Sequence, residues 1–378
     1  MKPPAGETAA SLKAAAILDD APSPLGYTDD VSAKRQPKRT RRVSHQDIAR
    51  EANVSRVTVS LVLAGKDQTS EETRRRVLEV AKRLRYRPNL LVQGMQTGRT
   101  YAVGVIMPAS MHFHGQIARG IHDELMTADF VPIQLWMNPS KDTKNTELEQ
   151  IHRLVDRRVD GMIIFPIDVS VPDVHFQEIW QRNIPLVTVD RETTTHADHV
   201  GTDEELGGKL AAEHLLSLGH KRIVHVTFPH RTGNVHRRAE AFTKRMEKGG
   251  GEVEIVGGQL DDLVAPLKDV LSRSSKRPTA VFAATDPMAT KVYGVAASLG
   301  MKIPDDVSVM GYADFPFARD LVPPLTTVRQ DHYQMGRLSA QLLLDRILDR
   351  ATTEANRIHL APELVVRGST APARTDNG

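Results

Sequence analysis

From Tyr101 onward the chain alternates short apolar runs with amphipathic stretches of helical period, and this alternation narrows the possible folds more than any other feature. The runs are 101–108 (YAVGVIMP), 130–137 (FVPIQLWM), 161–167 (GMIIFPI), 185–190 (PLVTVD), 222–228 (RIVHVTF), 279–286 (TAVFAATD), 307–314 (VSVMGYAD) and 325–331 (LTTVRQD). They are β-branched and continuously apolar rather than alternating, as parallel strands covered on both faces are. Between them, 115–128, 204–220, 286–300 and 334–350 repeat apolar residues at helical spacing. Strictly alternating β and α elements imply β–α–β units with right-handed crossovers. There are too many for one compact sheet, so the pattern predicts an α/β body of two similar doubly wound subdomains. Ligands of such folds sit beyond the carboxyl ends of the strands, in the crevice between lobes.

The residues before Tyr101 have a different texture. Residues 1–42 are rich in Pro, Ala and Asp and end in KRQPKRTRR, which predicts a disordered basic arm. Residues 43–88 carry helical patterns with short breaks, and 89–100 form a connector. The body is expected over 101–370, with a tail at 371–378. Its first subdomain is expected over 101–202 plus 331–353, its second over 203–330 plus 354–370.

In the stretch VSHQDIAREANVSRVTVSLVLAG (43–65), Ile48, Ala49, Ala52, Val54 and Val59 are spaced as two short crossing helices require. Asn53 falls at the tight turn, where a left-handed backbone tolerates Asn. Ser55 is a good N-cap for the second helix, which would project Arg56, Val57, Ser60 and Leu61 outward. Ser70 caps a third helix with Glu71 and Glu72 at its positive end. Its buried stripe is read as Val77, Leu78, Ala81 and Leu84, with Arg74, Arg75, Arg76, Lys82 and Arg83 left outside as phosphate partners. This is helix-turn-helix chemistry, in which the second helix enters the major groove. A small three-helix unit of any other use shows the same spacing.

Charge is unevenly placed. Residues 1–99 carry a net +8 and the remainder −5, within a total of +3. A basic head on an acidic body fits a head that meets a polyanion. The chain has no cysteine, which excludes disulfides and thiolate metal sites. No apolar run is long enough to span a bilayer and no secretory core precedes the head, so the expected address is the cytoplasm, on the nucleoid.

The head sequence SHQDIAREANVSRVTVSLVLAGK, followed by SEETRRRVLEVAKRLRYRPN, resembles the DNA-binding head of the lac repressor family of transcriptional regulators. The resemblance runs in order through the body, over RGI (119–121), RRVDGMII (157–164), IPLVTVDR (184–191), AAEHLLSLGHKRI (211–223), RRAEAF (237–242), PDDVSVMGYADF (304–315) and PPLTTVRQDHYQMGRLSAQLL (323–343). It covers roughly 43–370. It implies an all-α helix-turn-helix head before a body like a periplasmic binding protein.

The resemblance also implies roles. Arg56 and Val57 fall where the family reads bases, Arg56 toward guanine O6 and N7 and Val57 toward an apolar feature such as a thymine methyl. The third reading position, often Arg in the family, is Leu61 here. Ser55, Thr58 and Ser60 fall at phosphate-binding positions. Residues 89–96, beginning with Asn89, correspond to the hinge helix, with Met95 in place of the usual Leu wedge in the minor groove. In the cleft, Asp190 and Arg191 end a strand where the family meets its ligand, and Arg238 matches a ligand-clamping arginine. Thr232 and Asn234 share that loop. Thr285 and Asp286 follow another strand, and Asp286 is read equally as a ligand contact or as a helix cap. Ala313 replaces an Asp common in binders of neutral sugars. That loss, with Arg191, Arg231, His236 and Arg238 near the crevice, makes an acidic sugar or other anion a plausible effector.

The histidines of HFHG (112–115) and HADH (196–199) lack a third ligand at diagnostic spacing, so they are read as surface or pocket-lining groups and no metal is expected. No cofactor is expected either: the sequence has no G-x-x-x-x-G-K-[ST] loop, G-x-S-x-G elbow or H-E-x-x-H helix. The function expected is a DNA-binding regulator, a repressor in its usual form and not an enzyme, working as a homodimer. Its partners are double-stranded operator DNA and a small effector in the cleft. A plain solute-binding protein and an enzyme on a doubly wound fold are the alternatives.

Overall fold

A computed structural model describes residues 43–65, 69–87, 98–109, 113–137, 143–166, 176–192, 197–229, 233–351 and 354–374. The arm 1–42 and the hinge positions Asn89 and Met95 lie outside these residues, as do Arg231 and Thr232. The chain divides into two compact units at Pro88–Asn89.

The first unit is built on three capped helices, α1 (His45–Ala52), α2 (Arg56–Leu63) and α3 (Glu71–Arg83). Helix α1 starts in a capping box: the Asp47 amide donates to Ser44 Oγ (3.4 Å) and the Ser44 amide to Asp47 Oδ2 (2.9 Å). Asn53 ends it in the left-handed region at φ 50° and turns the chain into α2, whose first orphan amides are met by Ser55. Ile48, Ala49, Ala52, Val59, Val62, Val77, Val80 and Ala81 close one small core. Leu78, expected in that core, is 45% exposed, and Val80 takes its place. From Val77 a helix returns to the same face at the third and fourth positions, so Val80 and Ala81 point inward while Leu78 is turned about 100° away.

The second unit holds two sheets of the same design. The first runs β11 (Arg357–Leu360), β5 (Asp198–Thr202), β4 (Leu186–Val189), β3 (Gly161–Ile164), β1 (Ala102–Pro108), β2 (Val131–Met137). The second runs β12 (Glu363–Val365), β10 (Thr326–Arg329), β9 (Ser308–Ala313), β8 (Ala280–Ala283), β6 (Arg222–Thr227), β7 (Glu252–Gly257). Neighbours are parallel except β10 with β12. In each sheet the strand order reverses beside its first strand, at β1/β3 and at β6/β8, and such switch points open the crevice where α/β folds take ligands.

Both faces of each sheet are covered, so alternate strand residues feed different cores. Val103, Val105 and Met107 pack with α4 (Phe113–Thr127) and α11 (His332–Ile347), whereas Ile106 faces α5 (Thr143–Asp156) and α6 (Gln177–Gln181). In the second sheet Val224 and Val226 face α9 (Val264–Leu271) and α10 (Asp286–Ser298), while Ile223, Phe282 and Met310 face α7 (Glu204–Ser217) and α8 (Asn234–Lys248). Helices α4 and α11 touch backbone to backbone: a Cβ on Gly120 would sit 2.1 Å from the Tyr333 carbonyl oxygen, and one on Gly336 2.1 Å from that of Ile117. Only glycine permits that approach.

The eight expected strands all form, trimmed at their ends, and the body is the expected pair of doubly wound lobes. Strands β5, β7, β11 and β12 were not expected. β7 and β11 lie at sheet edges with half or more of their residues exposed, so they lack the continuous apolar run by which buried strands are read. One boundary moves as a result. Residues 357–360, expected in the second subdomain, extend the first sheet beside β5, and the chain crosses to the second sheet only at 361–362.

Inside the second lobe His225 stacks on Phe282 (ring centroids 4.8 Å apart), has no hydrogen-bond partner at Nε2 among the described residues, and is fully buried. Burial holds its pKa down at about 4, against a hydrogen bond to the Phe282 carbonyl. A histidine depressed in the folded state lends stability above its unfolded pKa of about 6.5 that is lost as pH falls toward the folded value. Between those limits the cost is about 1.4 kcal/mol per pH unit. His225→Phe should therefore flatten the acid limb of a urea-midpoint-versus-pH curve below about pH 6.5 by that slope. An unchanged limb would show that His225 titrates alike in the folded and the unfolded chain.

Candidate nucleic-acid interface and ligand cleft

On the first unit, α2 presents a mixed surface. Arg56 is exposed at its first position, and Val57 beside it is 67% exposed. Ser60 and Leu61, one turn on, are half-buried. The Ser55 hydroxyl accepts from the Thr58 amide (2.9 Å) and lies 2.8 Å from the Thr58 hydroxyl, so both side chains first serve the helix start. His45 packs against Tyr86 at 5.4 Å, and its pKa is lowered by burial and then by the Arg56 charge, which puts Arg56 within electrostatic reach of α1. On α3, Arg75, Arg76 and Lys82 are exposed, whereas Arg83 is paired with Glu51. A polar helix N-terminus, an exposed guanidinium and an exposed branched aliphatic side chain form a surface suited to phosphates, a guanine edge and a thymine methyl together.

In the second unit, Asp190 follows β4 in the left-handed region (φ 63°), as the chain turns out of the sheet. Its carbonyl accepts from Asn234 Nδ2 (2.6 Å), at the first residue of α8. One turn along, Arg238 donates from Nε to Glu204 Oε2 (2.8 Å) and from Nη1 to the Ala284 carbonyl, and its Cζ lies 3.3 Å from the Tyr312 ring centroid. The Tyr312 hydroxyl reaches the same Glu204 oxygen (3.1 Å). Gln330 Nε2 links Thr202 Oγ1 (2.8 Å) to Glu204 Oε1 (3.4 Å). The packing is close enough that a Cβ on Gly207 would meet the Tyr312 oxygen at 2.1 Å. Asp190, Asn234 and Arg238 are thus brought together at the carboxyl ends of strands from both sheets.

Charges in this cluster are balanced internally. Burial opposes the Arg238 charge, but Glu204 and the Tyr312 oxygen outweigh it and the guanidinium stays protonated. Burial, then the Glu204 charge, push the Asp190 carboxyl up to about 7 against the pull of Arg191, Arg238 and Arg237. Arg191 lies 5.0 Å over the Phe165 ring. Phe165 belongs to an aromatic group with Phe113, His114 and His332: His114 meets Phe165 edge-on at 4.6 Å and His332 meets Phe113 at 4.3 Å. Burial holds His332 down at about 4.

Thr285 and Asp286 divide differently from expectation. The helix cap is Thr285, whose hydroxyl accepts from the Met288 amide (3.4 Å), and not Asp286. Asp286 is fully buried and accepts from Thr327 Oγ1 (2.7 Å) and the Phe315 amide (2.7 Å), so it fixes the turn after β9. In that turn Ala313 is held at φ 104° and Asp314 at φ 51°, with Asp314 tied to Arg329 (2.8 Å) and Arg367 (2.6 Å). Glu204, Tyr312, Gln330 and the aromatic group escaped sequence reading. Glu204 opens a helix in a run of acids, where a carboxylate is expected merely to serve the dipole. A separate cavity of about 620 Å³, lined by Arg222, Arg273, Lys276 and Arg277 among others, lies at the opposite, N-terminal ends of β6 and β8.

Similarity to known proteins agrees with this geometry. Residues 45–89 match the family described as bacterial regulatory proteins, lacI family, and residues 212–370 match the periplasmic binding protein-like domain. The ribose operon repressor of Escherichia coli K12 is 30% identical over 338 residues, covering 86% of this chain and 98% of that protein. Among solved structures, the lac repressor dimer bound to operator and the anti-inducer ONPF superposes with a TM-score of 0.75 at 25% identity, covering 87% of this chain and 99% of that one. A LacI family regulator from Enterococcus faecium with bound ribose superposes with a TM-score of 0.63 at 30% identity, covering 72% and 100%. Helix-turn-helix head, twin doubly wound lobes and full-length similarity coincide, and the chain belongs to the lacI family of bacterial regulatory proteins.

Proposed function

We infer that the protein is a sequence-specific DNA-binding transcriptional regulator, a repressor in action, whose operator affinity is set by a small effector held between its two lobes. The observation that carries the DNA role is the exposed Arg56–Val57 pair at the start of a capped helix, a guanidinium and an apolar side chain placed side by side as a guanine edge and a thymine methyl require. Arg56, Val57 and Leu61 are assigned to base edges, and Ser55, Thr58 and Ser60 to phosphates. Two heads act together, since a twofold dimer matches two half-sites. Exposed Val131 and Trp136 on edge strand β2, and Ile255 on edge strand β7, offer apolar surface for a second copy. Among the described residues no helix is long and apolar enough to cross a membrane, and the regulator is assigned to the cytoplasm.

For the effector, Asp190, Arg191, Asn234, Arg238 and Thr285 are assigned as contacts, with Asp286 supporting the turn behind them. The charge balance favours a neutral, hydroxyl-rich ligand over the anion suggested by counting arginines, because Arg238 is already matched by Glu204. The aromatic group beside Arg191 suits the apolar face of a sugar ring, and relatives are described as a ribose operon repressor and as holding ribose. Selection of binding sites from a random duplex pool tests the DNA role. Arg56→Ala should lose about 1–3 kcal/mol of preference at one base pair per half-site. A profile identical to that of the unaltered protein would remove Arg56 from the reading set. A thermal-shift screen of pentoses, hexoses, sugar acids and sugar phosphates tests the cleft, and a response confined to the acids would overturn the neutral-ligand assignment.

A further inference from the structure

Outside the effector contacts, the fold assembles a carboxylate and two imidazoles that are far apart in sequence. One ligand atom each from Glu192, His199 and His359 lies within 4.8 Å of the others. Glu192 leaves β4 two residues after Asp190, His199 is on β5, and His359 is on β11, paired with β5. His199 is buried and its Nε2 has no hydrogen-bond partner among the described residues, a costly state for a polar atom. The His359 side chain is 37% exposed, so the cluster is open to solvent on that side. We propose that Glu192, His199 and His359 form a binding site for a divalent transition metal of the zinc class.

The donor set is suited to that ion. Two neutral imidazoles and one carboxylate are a recurrent set for zinc with a further position left to water. The Thr188 hydroxyl donates to the Asp198 carbonyl (3.3 Å), so His199 Nδ1, 3.0 Å from Thr188 Oγ1, donates to that hydroxyl and leaves the Nε2 lone pair for the metal. A hydrogen bond on the far nitrogen is how metal-bound histidines are usually oriented. Burial holds His199 down at about 4, so the imidazole is neutral at physiological pH. Burial works against the Glu192 charge, but the Arg237 hydrogen bond and the nearby Arg237 and Arg357 charges outweigh it, and the carboxylate is ionised. Glu192 Oε2 and His359 Nε2 are 3.8 Å apart, against about 3.3 Å for ligand atoms on a tetrahedral ion with bonds of about 2 Å. A small side-chain rotation closes that gap.

Arg237 (2.7 Å) and Arg357 both bind Glu192 and compete with the ion for it. Arg237 sits on α8 of the second lobe, whereas the three metal ligands belong to the first. Metal occupancy therefore draws Glu192 away from an interlobe ion pair. This competition yields a signature that a purely structural ion-pair cluster lacks. Removing Arg357 should tighten metal binding, while removing His359 should weaken it.

The test is titration of the full-length, tag-free, EDTA-treated protein with Co²⁺, read by visible absorption, followed by displacement with Zn²⁺. The expected result is one ion per chain with the intense bands of a four- or five-coordinate site, bleached by Zn²⁺. His359→Gln, a partly exposed change, should weaken binding by at least about tenfold, given that losing even an outer-shell partner costs 10–100-fold. Arg357→Ala should strengthen it. Absence of the bands at millimolar Co²⁺ overturns the proposal, and so does binding equal in the unaltered protein and in both His359→Gln and Glu192→Gln.

Discussion

Affinity for a selected operator duplex should fall by about a thousandfold when salt rises from about 50 to about 200 mM, if each of two heads neutralises about three phosphates. The slope of log K against log salt is then about −5, at roughly −0.9 per phosphate. Exposed Arg75, Arg76 and Lys82 on α3 supply cations for this, with Arg56 on α2. Arg76→Ala should reduce the slope by about one unit per head and weaken all sequences alike. Arg56→Ala should also change which sequence is preferred. A slope near zero for the unaltered protein would remove the DNA role altogether, since the charge asymmetry of the chain would then have no polyanion to meet.

Removing the Glu204 carboxylate should be the most destabilising single change in the cleft. Glu204 and Arg238 are 1% and 5% exposed, and a buried pair broken on one side leaves an uncompensated charge that costs about 3–5 kcal/mol. Glu204→Ala also strands the Tyr312 hydroxyl and removes one of two acceptors from Gln330 Nε2. Urea unfolding of the full chain reads the loss as a shift in the transition assigned to the body. The double variant Glu204→Ala with Arg238→Met should recover most of it, because no buried charge remains. A single-variant loss below about 1 kcal/mol would mean that water reaches Arg238, and the closed, charge-balanced cleft would have to be given up. Arg238→Met alone should abolish the effector's thermal shift while leaving DNA reading by the head unchanged.

Much of the head was legible because its signals are local. Caps at Ser55 and Ser70, the left-handed Asn53 and the apolar spacing all act within one or two helical turns. Leu78 was misplaced because its neighbour Val77 is truly buried and a single-position rotation is the smallest error that helical periodicity allows. In the body, strands buried on both faces announced themselves as apolar runs. Edge strands β7 and β11 did not, since half or more of their residues face water.

The cleft divides along the same line. Asp190 was singled out because it ends a strand where the family meets its ligand, Arg238 because it matches a ligand-clamping arginine of the family, and Asn234 because it shares that loop. Their partners were not, because Glu204, Tyr312 and Gln330 reach them across long sequence separations. The same holds for Glu192, His199 and His359. Residues 196–199 alone offered no third ligand, and only the pairing of β11 with β5 supplied one. The amino-acid sequence by itself determined the architecture of this chain, since patterning and capping act over a few residues, and its ordered motifs gave the regulator class through their resemblance to a known family. Only the tertiary structure decided which charges are already spent on one another, because pairing depends on distances that residue order does not contain. On that account Arg238 is matched by Glu204 rather than left for an anion, and scattered histidines became a candidate metal site.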